Sequence, residues 1–336
     1  MLVRFAGPLI LSSHCQPGNV PVTWRTCGTP GKGVHMPSHT SSSLAARWRR
    51  NGVGPWLVLP AAALLAVFVF RPLVRSLQLS TYASDLIGNP TRFVGLDNYT
   101  SLLSDPDFLH TVVISVVIAL LGMFLATFGA LCAVLLLRGR LPGGGIFNVI
   151  FSLPFAYSAA SASTVFAGLF APSVGVLNII LGNLGVPGPH WLDSPVAAVW
   201  SIAIATAWYE FGFAFLVLTA AVRDVPPEVI EAAQLDGAAG FRLAARILVP
   251  IMRPSILFLV VTQTITGLQS FAQIQVLTRG GPAGATTNLV YRMYQLAFGN
   301  GTPDFGRASV IAIVLVLIVA VITALQFRLL GREKAA

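Results

Sequence analysis

Charge is what this chain has least of. Across 336 residues only 10% are Asp, Glu, Lys or Arg, against about 25% in an ordinary soluble domain. Lysine is nearly missing, with Lys32 and Lys334 the only two. Cysteine is sparse: Cys15 and Cys27 lie in a polar tail and Cys132 in an apolar run, which gives no disulfide framework. The five histidines, His14, His35, His39, His110 and His190, form no H-E-x-x-H pair or tight cluster, so neither a metal site nor a zinc-dependent membrane enzyme is indicated. The phosphate-cradling G-K-S/T ending is also absent, since Gly33 follows Lys32 and Ala335 follows Lys334. A process that needs ATP must draw it from another subunit.

Apolar residues fill the space that charge leaves, at 55% of the chain with a mean hydropathy of +0.78. The net charge of +9 is spread between apolar runs and gathered in no patch, which argues against nucleic acid. Crossing a hydrocarbon layer of about 30 Å takes about 20 apolar helical residues. Six stretches qualify, near residues 56–77, 110–137, 146–171, 195–222, 255–277 and 307–330. The expected fold is therefore an all-α membrane protein with six transmembrane helices, in which Pro60, Pro72 and Pro154 mark kinks or packing contacts. An even number of spans puts both termini on one side. Most basic residues fall in the two tails and in the loops 138–145 and 223–254, while Arg71, Arg75, Arg92, Arg279, Arg292 and Arg307 lie on the opposite side. The positive-inside rule then makes both termini cytoplasmic.

Residues 1–50 stand apart as a disordered or mis-assigned N-terminal extension, and residues 51–336 as the transmembrane domain. The extension is rich in Gly, Pro, Ser and Arg and has no Asp or Glu. Its apolar core, Leu9 to Leu11, is too short for a secretory signal, and Met36 offers a second start.

Asp224 to Pro254 is the most informative segment. Asp224 is a candidate cap, Pro226 and Pro227 suit a first helical turn, and Glu228 and Glu231 sit toward the positive end of the helix dipole. Asp236-Gly237 is a helix stop. A second helix should run through Leu248 and end at Pro250, giving two short helices joined by a sharp turn on the cytoplasmic face.

This segment resembles the E-A-A loop of ABC importer permeases of the carbohydrate-uptake, binding-protein-dependent family. Glu231-Ala232-Ala233, Gly237, Ile247 and Pro250 fall at the family's spacing, with Val249 where Leu is usual. Phe93-Val94-Gly95-Leu96-Asp97-Asn98-Tyr99 is similar to the family's F-x-G-L-x-N-Y/F segment, and Gly280 to Tyr291 to its G-G-P-x-x-x-T loop. The likeness covers residues 55–330 and is greatest to the A-type permeases of glycerol-3-phosphate and glycerophosphodiester importers. It implies a type I importer permease fold, in which Glu231, Ala232, Ala233, Asp236, Gly237, Ile247 and Pro250 couple to an ATPase. Arg242 and Arg246, one turn apart, face either acidic groups of that partner or solvent and lipid head groups. The implied partners are a similar second permease chain, an ATPase dimer that binds ATP and Mg, and an extracytoplasmic binding protein, periplasmic or lipid-anchored. The implied setting is the bacterial inner membrane and the implied cargo a sugar or glycerophosphate-type solute.

Glu210 lies inside the fourth apolar run, where an ionisable group needs a wet cavity or a partner. Two readings stand: Tyr209 and Glu210 bind substrate hydroxyls on the path, or Glu210 joins a helix-packing pair. An acid there suits a zwitterionic glycerophosphodiester or a neutral sugar better than a phosphate monoester. Thr266, Gln269 and Gln273 share a face of an ideal fifth helix and line either a passage or a helix interface. Gly280, Gly281 and Pro282 form a tight outer turn, chosen either for backbone geometry or for docking the binding protein. Asp97, Asp105 and Asp107 are further docking candidates or plain loop charges. An ion-coupled secondary transporter is the rival class, but only Glu210 is an acid clearly within a span. An embedded enzyme lacks any nucleophile–base pattern.

Overall fold

Long apolar runs become long helices in lipid because every backbone N–H and C=O must find its partner within the segment. A computed structural model describes residues 54–85, 87, 89–138, 143–299 and 302–330, so the expectation for residues 1–50 lies outside the described residues. The chain divides at Pro60 into two units, and the packing below is that of the unit from Ala61 onward.

Helix α1 (Val58–Ser80) is followed by an antiparallel ribbon, β1 (Tyr82–Ser84) and β2 (Pro90–Phe93), and by α2 (Asp97–Leu103). Next come α3 (Pro106–Leu137) and a pair bent by 105°, α4 (Gly144–Ala156) and α5 (Ala159–Phe170). After α6 (Val176–Asn183) and α7 (Pro195–Arg223) the chain forms α8 (Pro227–Leu235), then α9 (Gly240–Ile251) and α10 (Arg253–Leu268), which are bent by 71°. Helices α11 (Ala272–Leu277), α12 (Leu289–Phe298) and α13 (Phe305–Leu330) complete the described chain. Helices α1, α3, α7 and α13 are each long and apolar enough to cross a membrane, and the bent pairs raise the number to as many as six if each is one crossing.

Two expected spans are thus not continuous rods. The stretch 146–171 turns at Ser158, whose extended backbone and side chain cap α5 through the Ser161 N–H at 3.1 Å. The stretch 255–277 stops at Leu268 and resumes only at Ala272. Prolines act differently from simple kinks. Pro72 and Pro250 each follow a π-helical turn, Ala66–Phe70 and Ala244–Leu248, by two residues. The wider turn accommodates a ring that brings no N–H and crowds the preceding carbonyl. Helix α9 therefore continues through Pro250 to Ile251 instead of ending there, and the bend falls at Met252.

Helices α3, α7 and α10 pack on one another through small residues, as membrane helices do when no water drives them together. A Cβ at Gly267 of α10 would lie 2.9 Å from the Ala119 Cα of α3, and one at Gly122 of α3 would lie 3.3 Å from Thr206 Cγ2 of α7. Gly212 of α7 abuts the backbone nitrogen of Phe155 at the elbow of the α4–α5 pair. Gln326 Nε2 donates to Thr264 Oγ1 at 2.9 Å, tying α13 to α10.

The C-terminal end of α1 is held by the F-x-G-L-x-N-Y segment. Asn98 Nδ2 donates to the carbonyls of Ser80 and Tyr82 at 3.0 and 3.1 Å, and the Tyr99 hydroxyl donates to Ser80 Oγ at 2.8 Å. Asn98 thereby satisfies the Ser80 carbonyl that the helix end leaves open and ties it to the first residue of β1.

Candidate functional site

The connection between α7 and α10 is built by local chemistry. Asp224 closes α7 as its C-cap instead of opening α8, whose N-cap is Pro226. Pro227 then takes the first helical position, where its missing N–H costs nothing. Helix α8 ends in a left-handed glycine stop: Gly237 has φ +80°, its N–H donates to the Gln234 carbonyl at 3.0 Å, and the Ala238 N–H donates to the Ala233 carbonyl at 2.9 Å.

This hairpin has a buried root and bare tips. Ala233, Leu243, Leu248 and Met252 are buried, and Val225, Leu248 and Met252 pack with Ala130, Val134, Phe215, Leu218 and Leu259 of α3, α7 and α10. Sequence spacing singled out Ile247, which is only half-buried, and passed over Leu243 and Leu248. Those two lie five apart and both turn inward because the intervening turn is π-helical. Glu231, Ala232, Asp236, Gly237, Arg242 and Arg246 are exposed, Pro250 is half-buried, and Leu235 and Phe241 are 89% and 87% exposed.

A polar node crosses the bundle near the middle of α7. Thr127 Oγ1 donates to Gln263 Oε1 at 2.5 Å, and Gln263 Nε2 donates to the backbone carbonyl of Glu210 at 3.1 Å. Glu210 itself is 4% exposed, and neither carboxyl oxygen has a partner among the described residues. The Thr206 hydroxyl, one turn away, is buried and unpartnered too. Gln263 is thus the fifth-run residue brought to Glu210. Its partner Thr127 carried no sequence signal, being 136 positions away.

The other path candidates do not assemble there. Thr266 and Gln269 are exposed, whereas Gln273 is buried on α11, beyond the break at 269–271. They share no helix face, because the helix supposed to align them stops at Leu268. Tyr209 is half-buried.

On the opposite side, the loop between α11 and α12 is braced from within. Gly280 is buried with φ +83°, and a Cβ there would meet Thr287 Oγ1 at 2.6 Å. Thr286 Oγ1 donates to the Gly281 carbonyl at 2.7 Å and lies 2.8 Å from Thr278 Oγ1, while Thr287 Oγ1 donates to the Gly280 carbonyl at 3.2 Å. Asn288 donates to Ser270 and accepts from the Tyr291 N–H, capping α12. Gly281 and Pro282 are half-buried, and the exposed apex is Ala283-Gly284, which the motif reading passed over. Asp105 caps α3 and approaches Arg292 at 3.8 Å, whereas Asp97 and Asp107 are exposed.

Crossing helices joined by small residues, with polar groups sealed near their middles and a rooted hairpin at one end, define a multi-span membrane helix bundle. The chain belongs to the binding-protein-dependent transport system inner membrane component family, which it matches over residues 120–333. It is 34% identical over 289 residues to the sn-glycerol-3-phosphate transport system permease protein UgpA of Agrobacterium fabrum, covering 84% of this chain and 96% of that protein. It is 31% identical over 287 residues to the trehalose/maltose transport system permease protein MalF of Thermococcus litoralis, covering 84% and 95%. Among solved structures, a chain of a bacterial alginate ABC transporter, in complex with an alginate pentasaccharide-bound periplasmic protein, superposes with a TM-score of 0.72. It has 20% identity over 87% of this chain and 99% of that one, and so bears on the fold. The protein is a multi-pass inner-membrane permease subunit.

Proposed function

We propose that this permease forms half of the membrane pathway of an ATP-driven importer for a sugar or glycerophosphate-type solute. The relatives named for sn-glycerol-3-phosphate and for trehalose/maltose support that cargo class. A second, homologous permease completes the pathway, an ATPase dimer binds ATP and Mg, and an extracytoplasmic binding protein delivers the solute. Both termini and the α8–α9 hairpin face the cytoplasm, and the outer loop at Gly280, Gly281 and Pro282 faces the binding protein.

The observation that carries this reading is the hairpin. Its root is buried among α3, α7 and α10, so a push on the hairpin moves those helices as a body. Its exposed Leu235 and Phe241 are the apolar surface that an ATPase groove would cover, with Glu231 and Asp236 beside them. Gln269 is an exposed polar group on the bundle, which lipid does not favour, so it faces a passage or the second chain, whereas the exposed Thr266 is satisfied by the Thr262 carbonyl at 3.1 Å. The buried carboxyl of Glu210, unpartnered among the described residues, is the group on α7 placed to bind solute hydroxyls.

Gly237→Trp in the assembled transporter tests the coupling. No heavy atom lies within 4 Å of a Cβ at Gly237, so the cost is the left-handed backbone, about 1–2 kcal/mol, and the chain still folds. ATP-driven uptake of labelled glycerol 3-phosphate or maltose should fall to background while an ionophore leaves wild-type uptake intact. Normal uptake by the variant overturns the reading.

A further inference from the structure

A second polar site lies where α3 and α7 end together, on the hairpin side of the bundle. A cavity of about 270 Å³ opens there between the two helix ends and the start of α4. Arg138, the C-cap of α3, and Arg223, in the last turn of α7, both line it, with Thr219 one turn before Arg223 and Asn148 reaching in from α4. Val134 and Phe215 form its apolar floor. No acid lines the cavity, and neither arginine makes an ion pair among the described residues. The Thr219 hydroxyl is buried and has no partner.

The donor surplus selects the ligand. Two guanidinium forks and an amide offer many N–H groups, and the acceptor that matches such a set is an anion with several oxygens. The negative ends of two helix dipoles oppose an anion, but each amounts to about half a charge against the full charge on each arginine. Arginines placed here only to orient the chain would need no shared cavity.

We infer that this cavity binds a phosphate group, with Arg138 and Arg223 gripping its oxygens and Asn148 beside them. The apolar floor suits the glycerol and acyl portion of a phospholipid. Inorganic phosphate offers the same oxygens. Placing the site at the cytoplasmic leaflet rests on the orientation proposed above, whereas binding itself does not depend on it.

Native mass spectrometry of the purified transporter, in phosphatidylcholine doped with phosphatidylglycerol, tests the site. The wild type should retain phosphatidylglycerol in preference to phosphatidylcholine. Each arginine near an anionic head group contributes about fivefold, so Arg138→Gln/Arg223→Gln should lose about 25-fold in retention. Arg223→Gln alone, at an exposed position, should lose about fivefold if the double variant fails to assemble. Arg242→Gln/Arg246→Gln, on the hairpin surface, should retain the lipid. Saturable inorganic phosphate binding that depends on Arg138 and Arg223, without lipid retention, would assign the soluble source. Equal binding of both probes by wild type and double variant, or an equal loss in the hairpin control, overturns the inference. No ATP or cargo is present, so a negative result leaves the transport reading standing.

Discussion

The loop between α11 and α12 and the node in the middle of α7 hold similar polar side chains in different states of completion. In the loop, Thr278, Thr286, Thr287 and Asn288 bond to one another, to their own turn or to Ser270. In the node, Gln263 is satisfied on both sides, but the Glu210 oxygens and the Thr206 hydroxyl are buried with no partner among the described residues. A closed set of hydrogen bonds serves shape. An open one costs stability and persists where a bound molecule completes it.

Substitutions can break that contrast, beginning where the loss is greatest. Asn288→Ala removes the donor to Ser270 and the cap of α12 at a buried position, and should lower stability by about 2–3 kcal/mol in thermal denaturation of the detergent-purified protein. Gln263→Leu severs the link between α3 and α7 but leaves less behind, since hydrogen bonds between membrane helices are worth about 0.6 kcal/mol each. A drop of about 1 kcal/mol is expected in the same assay. Glu210→Gln removes no side-chain hydrogen bond seen among the described residues, so the melting temperature should hold or rise, while uptake falls about tenfold through loss of the carboxyl's contact with the solute. A destabilised Glu210→Gln that transports normally would erase the distinction and make Glu210 a packing group.

The same contrast bears on what could be read in the sequence. Local features were legible: the apolar runs that became α1, α3, α7 and α13, and the stop at Gly237, because each depends on near neighbours. The break after Leu268 was not, since Gln269, Ser270 and Phe271 carry no glycine or proline to announce it. Nor were the π turns, which shifted the inward face from Ile247 to Leu248 and carried α9 past Pro250. The node was half visible: Glu210 stands out in an apolar run, whereas Thr127 and Gln263 meet only because α3 and α10 lie side by side. In the outer turn the glycines marked the position, and burial then moved the accessible surface to Ala283 and Gly284.

Gly212 presses against the Phe155 backbone two residues from Glu210. Nothing larger than a hydrogen fits at that seam, so intolerance to replacement there reports crowding and carries no information about cargo. Maps of permitted amino acids along α7 therefore have to be separated by cause before they are used to trace a solute's route.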